Sequence, residues 1–260
     1  MSNLYVSNGE LQYASPIQLA TSLWSDPGWV VEELFSGYRC KLSASPDSVS
    51  LFVSKKRCNG HSLGKELVNN FLHIRDLPVF KKLGYCELDC IAVSNQKADL
   101  ESIFDIGPLG AERLNDSLGG IKIVLLDIMR FKGVDIKDEP WKARRIYLED
   151  AHKKLGSTNV LLSESVSLCK RDFFETLSAL GSKGIVFKNI ESVYRGGLGR
   201  DFLEARSSLQ TGFENASLRE GFSFCPVVSG HGAGQGFDFD TYLAMQALDS
   251  PENVQKLLDS

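Results

Sequence analysis

The chain contains no uninterrupted apolar run approaching the ~20 residues that a membrane-spanning helix requires. Its opening residues, Met1-Ser2-Asn3-Leu4-Tyr5, lack a basic region leading into an apolar segment. No secretory signal is read there, and a cytoplasmic location is expected. The chain also lacks a basic excess: 29 Lys and Arg against 33 Asp and Glu leave a formal charge of −4. That balance argues against a broadly basic face for duplex nucleic acid. Basic residues occur instead as short clusters at Lys55-Lys56-Arg57, Lys81-Lys82, Arg144-Arg145, Lys153-Lys154 and Lys170-Arg171. Metal-site spacing is missing as well. Cys40, Cys58, Cys86, Cys90, Cys169 and Cys225 are dispersed, and the Cys86/Cys90 spacing has no second pair to match it. Reduced thiols are therefore expected in preference to zinc or disulfides. No internal repeat is visible. The glycine-rich stretch Gly230 to Gly236 has no Lys-Ser/Thr after it, so it reads as a linker and not as a phosphate-binding loop.

What is present describes a globular chain. At 260 residues, 43% hydrophobic and 24% charged, it can bury a substantial core. Helical spacing covers Ile17 to Trp24, with Ser15 as a cap and Pro16 in the first turn. Strands are expected at Val30 to Glu33, Tyr38 to Ala44 and Val49 to Ser54. Leu63, Leu67, Val68, Phe71 and Leu72 fall on one helix face. Tyr85 to Val93 and Ile121 to Asp127 read as strands, with two short helices between them over 97–117, split at Gly107-Pro108. Trp141 to Leu155 reads as a helix ended by Gly156, Val160 to Leu162 as a strand, and Lys170 to Leu180 as a helix stopped by Gly181. Gly184 to Lys188 reads as a buried strand. The mixture indicates an α+β fold.

The segment Glu33-Leu34-Phe35-Ser36-Gly37-Tyr38-Arg39 resembles the E-K-x-D-G-x-R motif of polynucleotide ligases and mRNA-capping enzymes. In those enzymes the lysine attacks the α-phosphate of a nucleoside triphosphate. Further elements follow in the family's order. Ser15-Pro16-Ile17-Gln18-Leu19-Ala20 and Pro27-Gly28-Trp29-Val30-Val31 resemble its lead-in. Leu51 to Lys55 with Asn59-Gly60 resembles L-x-S-R-x-G, and Leu83 to Leu88 resembles L-D-G-E-L. Ile121 to Asp127, Gly133-Val134-Asp135-Ile136, Pro140 and Arg144-Arg145 resemble the next block. Lys183 to Lys188 resembles E-G-v-v-l-K, and Tyr194 with Gly196 to Arg206 resembles the final motif. Order and spacing together are more specific than any single motif. The chain resembles most the small ATP-dependent DNA ligases of phages and bacteria. The resemblance implies an ATP-grasp-like nucleotidyltransferase (adenylation) domain, antiparallel sheets flanked by helices, with no complete oligonucleotide-binding barrel.

The departures bear on chemistry. Leu34 stands at the nucleophilic lysine, and an alkyl side chain has no lone pair for phosphorus. Ser36 stands at the aspartate, Lys183 at the motif glutamate, and Glu204 and Arg206 at the paired lysines. Lys183 opposes metal binding, because hard divalent cations need oxygen ligands. Glu204 repels phosphate. Leu126 replaces the aromatic residue that stacks on the base, and Lys55 replaces an arginine. Arg39, Glu87, Asp127 and Lys188 keep the family's residue type, which implies that Arg39 meets a ribose or phosphate, Glu87 a ribose hydroxyl and Lys188 a phosphate. Each also has a structural reading. Arg39 can pair with Glu87, Glu87 can be satisfied by a neighbouring cation, Asp127 can end a buried strand, and Lys188 can be a solvated strand end.

Residues 1–210 are thus expected to form the ligase-like domain, 211–236 a glycine-rich linker and 237–260 a helical tail. Residues 207–260 are too few for the barrel that follows this domain in ligases. The expected function is binding without ligation, as scaffold, assembly component or DNA-end module, with no cofactor. The alternative is an active ATP-dependent ligase with an atypical site, which would require ATP and Mg. Expected partners are a protein or a second copy of the chain, with DNA reached through Lys55, Lys56 and Arg57.

Overall fold

The computed structural model describes residues 11–17, 22–56, 62–66, 71, 83–94, 103, 106–117 and 120–207. The linker, the tail, Arg57 and the first of the two helices expected over 97–117 lie outside these, apart from Ile103. Among the described residues, eleven strands and three α-helices follow in the order β1 (Gln12–Pro16), β2 (Trp29–Glu33), β3 (Tyr38–Ala44), β4 (Val49–Lys56), β5 (Ser62–Glu66), β6 (Cys86–Ser94), α1 (Pro108–Ser117), β7 (Ile121–Phe131), β8 (Val134–Asp135), α2 (Trp141–Leu155), β9 (Val160–Leu162), α3 (Lys170–Ala179), β10 (Gly184–Asn189) and β11 (Gly197–Arg206).

The strands form two sheets. One is four-stranded in the order β1-β11-β10-β2, and the other is seven-stranded in the order β5-β4-β3-β6-β7-β8 with β9 added beside β7. Pairing is antiparallel except for β1 with β11 and β7 with β9. In β6 and β7 almost every residue is buried, because both faces of the larger sheet are covered. On one face Cys40, Leu42, Leu88, Cys90, Ile123 and Leu125 pack with Leu148, Ala151 and Leu155 of α2. On the other, Ile91, Val93, Val124, Leu126 and Leu161 form a smaller apolar cluster. A strand covered on both sides reads as a continuous apolar run, as Ile123 to Leu126 does.

Local signals account for the helices. Trp141, Arg144, Leu148, Ala151 and Leu155 recur at helical spacing and are the buried residues of α2. Its last turn carries His152, Lys153 and Lys154, which suit the helix C-terminus, and Gly156 at φ 53° takes the left-handed position that ends it.

Two expectations are corrected. Ser15 and Pro16 end strand β1 instead of opening a helix, and only Ser22–Trp24 forms a 3-10 turn. Proline is tolerated there because β1 is an edge strand. The Ser15 hydroxyl donates across the sheet to Gly199 O at 2.7 Å. Ser62–Glu66 is likewise a strand, where a helix was expected from Leu63 onward. Its ladder with β4 outweighs the apolar spacing that suggested a helix.

Candidate functional site

Parts of three resembling motifs, at Leu34, Gly184 and Arg206, meet along β2, β10 and β11. Opposite residues in antiparallel strands point to one face, so the register of β2, β10 and β11 gives successive rows. Leu34 donates its backbone N–H to Gly184 O at 2.9 Å, and Gly184 pairs with Arg206. In the next row Glu32 and Glu204 flank Val186, and in the one after that Val30 and Phe202 flank Lys188. Gly184 sits at φ 142°, and a Cβ there would lie 2.1 Å from Ala205 O, so this row accepts only glycine. The Leu34 position, Lys183 and Arg206 are therefore neighbours along the backbone.

Glycine is also required at position 37. A Cβ there would approach Ala92 O to 2.1 Å, where β3 leaves the turn beside β6. Leu34 is half-buried and Ser36 exposed. Phe35 packs against the Ile91, Val93, Val124, Leu126 and Leu161 cluster. Leu126 thus belongs to an apolar wall, with Phe35 beside it.

The cations of the site are engaged by the protein itself. Lys188, almost fully buried, donates from Nζ to Glu32 Oε2 at 2.8 Å and to Leu126 O at 2.8 Å. The second acceptor exists because β7 is bulged. Asp89 pairs with Asp127 but Cys90 with Leu125, which leaves Leu126 as the extra residue. Lys188 also lies 5.2 Å from the Phe202 ring and 5.9 Å from that of Trp141. Arg39 forks onto Asp89, with Nε to Oδ1 at 2.6 Å and Nη2 to Oδ2 at 2.7 Å, and donates to Gln12 O at 2.9 Å. Burial alone would lower the pKa of this guanidinium; the Asp89 carboxylate more than reverses that. The partner anticipated for Arg39 was Glu87, and Asp89 takes that place. Tyr194 completes the fork by donating from its hydroxyl to Asp89 Oδ2 at 2.7 Å. Burial and the same carboxylate push its phenol well above the ordinary range.

The remaining expected residues are placed as follows. Glu87 accepts from the Tyr85 hydroxyl at 2.8 Å and lies 3.7 Å from Lys41 Nζ, away from the Leu34 row. Buried Glu204 is met by Arg206, Nε to Oε1 at 3.1 Å. Asp127 receives a bidentate fork from Arg144 at 3.0 and 2.9 Å, which gives it a structural role. Lys55 and Lys56 end β4 opposite Leu63 and Ser62 of β5, two strands away from β6. Among the described residues no group of three or more His, Cys, Asp or Glu is arranged to hold a metal. No described helix is long and apolar enough to cross a membrane.

Two acids that no motif marks, Glu32 and Asp89, and the motif-start Glu33 lie around the site. Glu32 and Asp89 are the acceptors of Lys188 and Arg39. Glu33, adjacent to Leu34, points to the opposite face of β2, since its row partner Ile185 lies with Val31 and Leu177 in the core under α3. Burial pushes its carboxyl up to about 7, moderated by a hydrogen bond with Ser182 and raised further by Glu164. Acids inside otherwise apolar strands, Glu32 and Glu33 side by side and Asp89 two residues from Glu87, are the available signal.

Neither a protein-family model nor any curated protein sequence matches the chain. Solved structures do. The ligase domain of LigD from M. tuberculosis superposes with a TM-score of 0.58 at 17% identity, over 76% of this chain and 59% of that one. Mycobacterial DNA ligase D complexed with ATP and MES gives 0.56 at 17% identity, over 76% and 60%. The ATP-dependent DNA ligase of bacteriophage T7 in complex with ATP gives 0.52 at 12% identity, over 76% and 68%. The chain spans about three fifths of the length of the two LigD structures it matches. In fold, this chain is similar to the nucleotidyltransferase domains of ATP-dependent DNA ligases.

Proposed function

We propose that this protein is a DNA ligase-like nucleotidyltransferase-fold protein that acts by binding, as a scaffold, assembly component or DNA-end module, and does not adenylylate itself. One observation carries the reading. The cations that would meet a triphosphate are engaged internally, Lys188 by Glu32 and Leu126 O, Arg39 by Asp89, and Arg206 by Glu204. Two of these contacts also cross between the sheets, Lys188 to Leu126 O and Arg39 to Gln12 O. They tie the walls of the cleft together. Releasing a buried cation to phosphate would leave a buried carboxylate unpaired, which is strongly unfavourable.

The residue set does not suit Mg-ATP. Leu34 offers no nucleophile, Glu204 brings an anion to the phosphate side, and Leu126 offers no aromatic face. DNA remains the favoured nucleic-acid partner, through Lys55, Lys56 and Arg57, and a protein or a second copy remains the favoured macromolecular one.

Incubation with α-labelled ATP and a divalent metal should leave no label on the denatured protein. An alkali-stable, acid-labile phosphoramidate on any lysine would return the active-ligase alternative to first place. Calorimetry should give no ATP affinity tighter than a Kd of about 10 μM, roughly −7 kcal/mol.

A further inference from the structure

Residues 163–166 tie the two sheets together. Ser163 donates its N–H to Leu125 O at 3.0 Å in the larger sheet, and Val166 exchanges two backbone bonds of 2.9 Å with Val31 in the smaller one. The second contact is a single antiparallel bridge on the side of β2 that faces away from β10. Two residues farther along β2 is Glu33, and two residues back along the crossing is Glu164. An antiparallel register continued past Val31 and Val166 would set these two acids directly opposite each other. The pairing stops short of that position, because the bridge is isolated. Like charges directly opposed across a strand pair are destabilising.

The electrostatics of Glu33 agrees with this register. The residue is buried, and its Oε2 has no hydrogen-bond partner among the described residues. Burial is the main reason its carboxyl is pushed up to about 7; a hydrogen bond with Ser182 favours the charged form, and the Glu164 charge opposes it. Its partner on β10 is the apolar Ile185, and α3 brings Leu177 to the same layer. The cations on neighbouring segments are Lys183, which follows Ser182, and Arg145. Arg145 is engaged by Glu149, by Ser163 O and by Glu32.

We propose that Glu33 and Glu164 form a proton-controlled clasp between the 163–166 crossing and the edge of β2, closed while Glu33 is protonated and loosened once both acids are charged. A neutral carboxyl lets the crossing lie against the strand. After ionisation, moving residues 163–166 off the edge relieves the repulsion. Because opening eases the ionisation of Glu33, a rise in pH must in turn favour opening. The clasp is therefore shut below pH 7 and loosens above it. Loosening removes one tie between the sheets and leaves two others, Lys188 to Leu126 O and Arg39 to Gln12 O.

Amide hydrogen exchange on the full chain at pH 6 and pH 8, corrected for the intrinsic rate at each pH, tests the clasp at Val31 and Val166. Their protection should fall by about tenfold, the change set by one proton released above pH 7. At pH 8 it should lie below the protection of Leu88 in the central strand β6, which marks local opening. Glu164→Gln, which removes the opposing charge from a partly exposed position, should shrink the fall, and Glu33→Gln should abolish it. A wild-type protection that does not change with pH would overturn the proposal. So would Val31 and Val166 exchanging no faster than Leu88 at pH 8, or a fall in Glu164→Gln as large as in the wild type.

Discussion

Two arginine forks stand on either side of Tyr194, and they are built alike. Arg144 grips Asp127 through Nε and Nη2 and donates from Nη1 to Glu139 O and Ser192 O. Arg39 grips Asp89 through the same two atoms and donates to Gln12 O. The Tyr194 ring lies 5.6 Å from the Arg144 guanidinium, while its hydroxyl caps Asp89. They differ in access: the Arg144 side chain is 0% exposed and that of Arg39 is 22% exposed. Arg39 belongs to the most recognisable motif of the chain and Arg144 to one of the least. Equal construction teaches that motif membership alone does not assign a ligand role. The remaining exposure of Arg39 is the only structural margin for one.

Breaking the inner fork should have the largest effect. Arg144→Ala strands the buried Asp127 charge and should cost about 3–5 kcal/mol, read as a lower urea midpoint. Arg39→Ala should cost less, roughly 2–3 kcal/mol, because water can reach Asp89 once the partly exposed side chain is gone. Should Arg39→Ala leave the urea midpoint unchanged while weakening binding of a nucleotide or DNA end, the two forks are not equivalent and Arg39 is a ligand group.

Glu33 sharpens the comparison as a buried carboxyl that, among the described residues, has no fork. Its pKa rises from 4.5 to about 7 on folding, so between those values the folded chain holds a proton that the unfolded chain has released. Stability from this group therefore falls as pH rises from about 4.5 to 7. Glu33→Gln should abolish that slope and stabilise the protein at pH 8 by roughly 2–3 kcal/mol. Denaturation at pH 5 and pH 8 checks the sign; a wild-type stability that rises over this window would contradict the assignment. The smallest expected effect is none. Leu34→Lys should still take no label from α-labelled ATP, because Ser36, Lys183 and Glu204 remain.

Elements that carry their own punctuation were legible in the sequence. Trp141–Leu155 and Val160–Leu162 were bounded to the residue, because Pro140, Gly156 and the apolar spacing are local signals. Ser15-Pro16 and Leu63 onward were misread, because cross-sheet partners decide their conformation and such partners leave no local mark. The site divides the same way. Leu34, Lys183 and Arg206 were marked one by one as motif positions, and only the pairing of β2, β10 and β11 makes them neighbours. Glu32 and Asp89 were missed because their importance lies in register. Asp89 faces the fork of Arg39 only once β3 and β6 are paired as Lys41 with Asp89, and Glu32 reaches Lys188 only through the pairing of β2 with β10.

The parallel pairing of β1 with β11 has a consequence for how the chain is made. Gln12 aligns with Gly197 and Pro16 with Glu204, so the smaller sheet joins segments separated by most of the described chain. The antiparallel ladders from β3 to β7 join segments much nearer in sequence. Closing a long loop before its contacts form is slow, so the larger sheet can assemble while the smaller one waits. During synthesis β1 and β2 emerge first yet stay without their partners until β10 and β11 leave the ribosome. Until then Val30, Val31 and the acids Glu32 and Glu33 are exposed to water on an unpaired strand, and that charged interruption of an apolar segment guards the nascent chain against sticking to its neighbours.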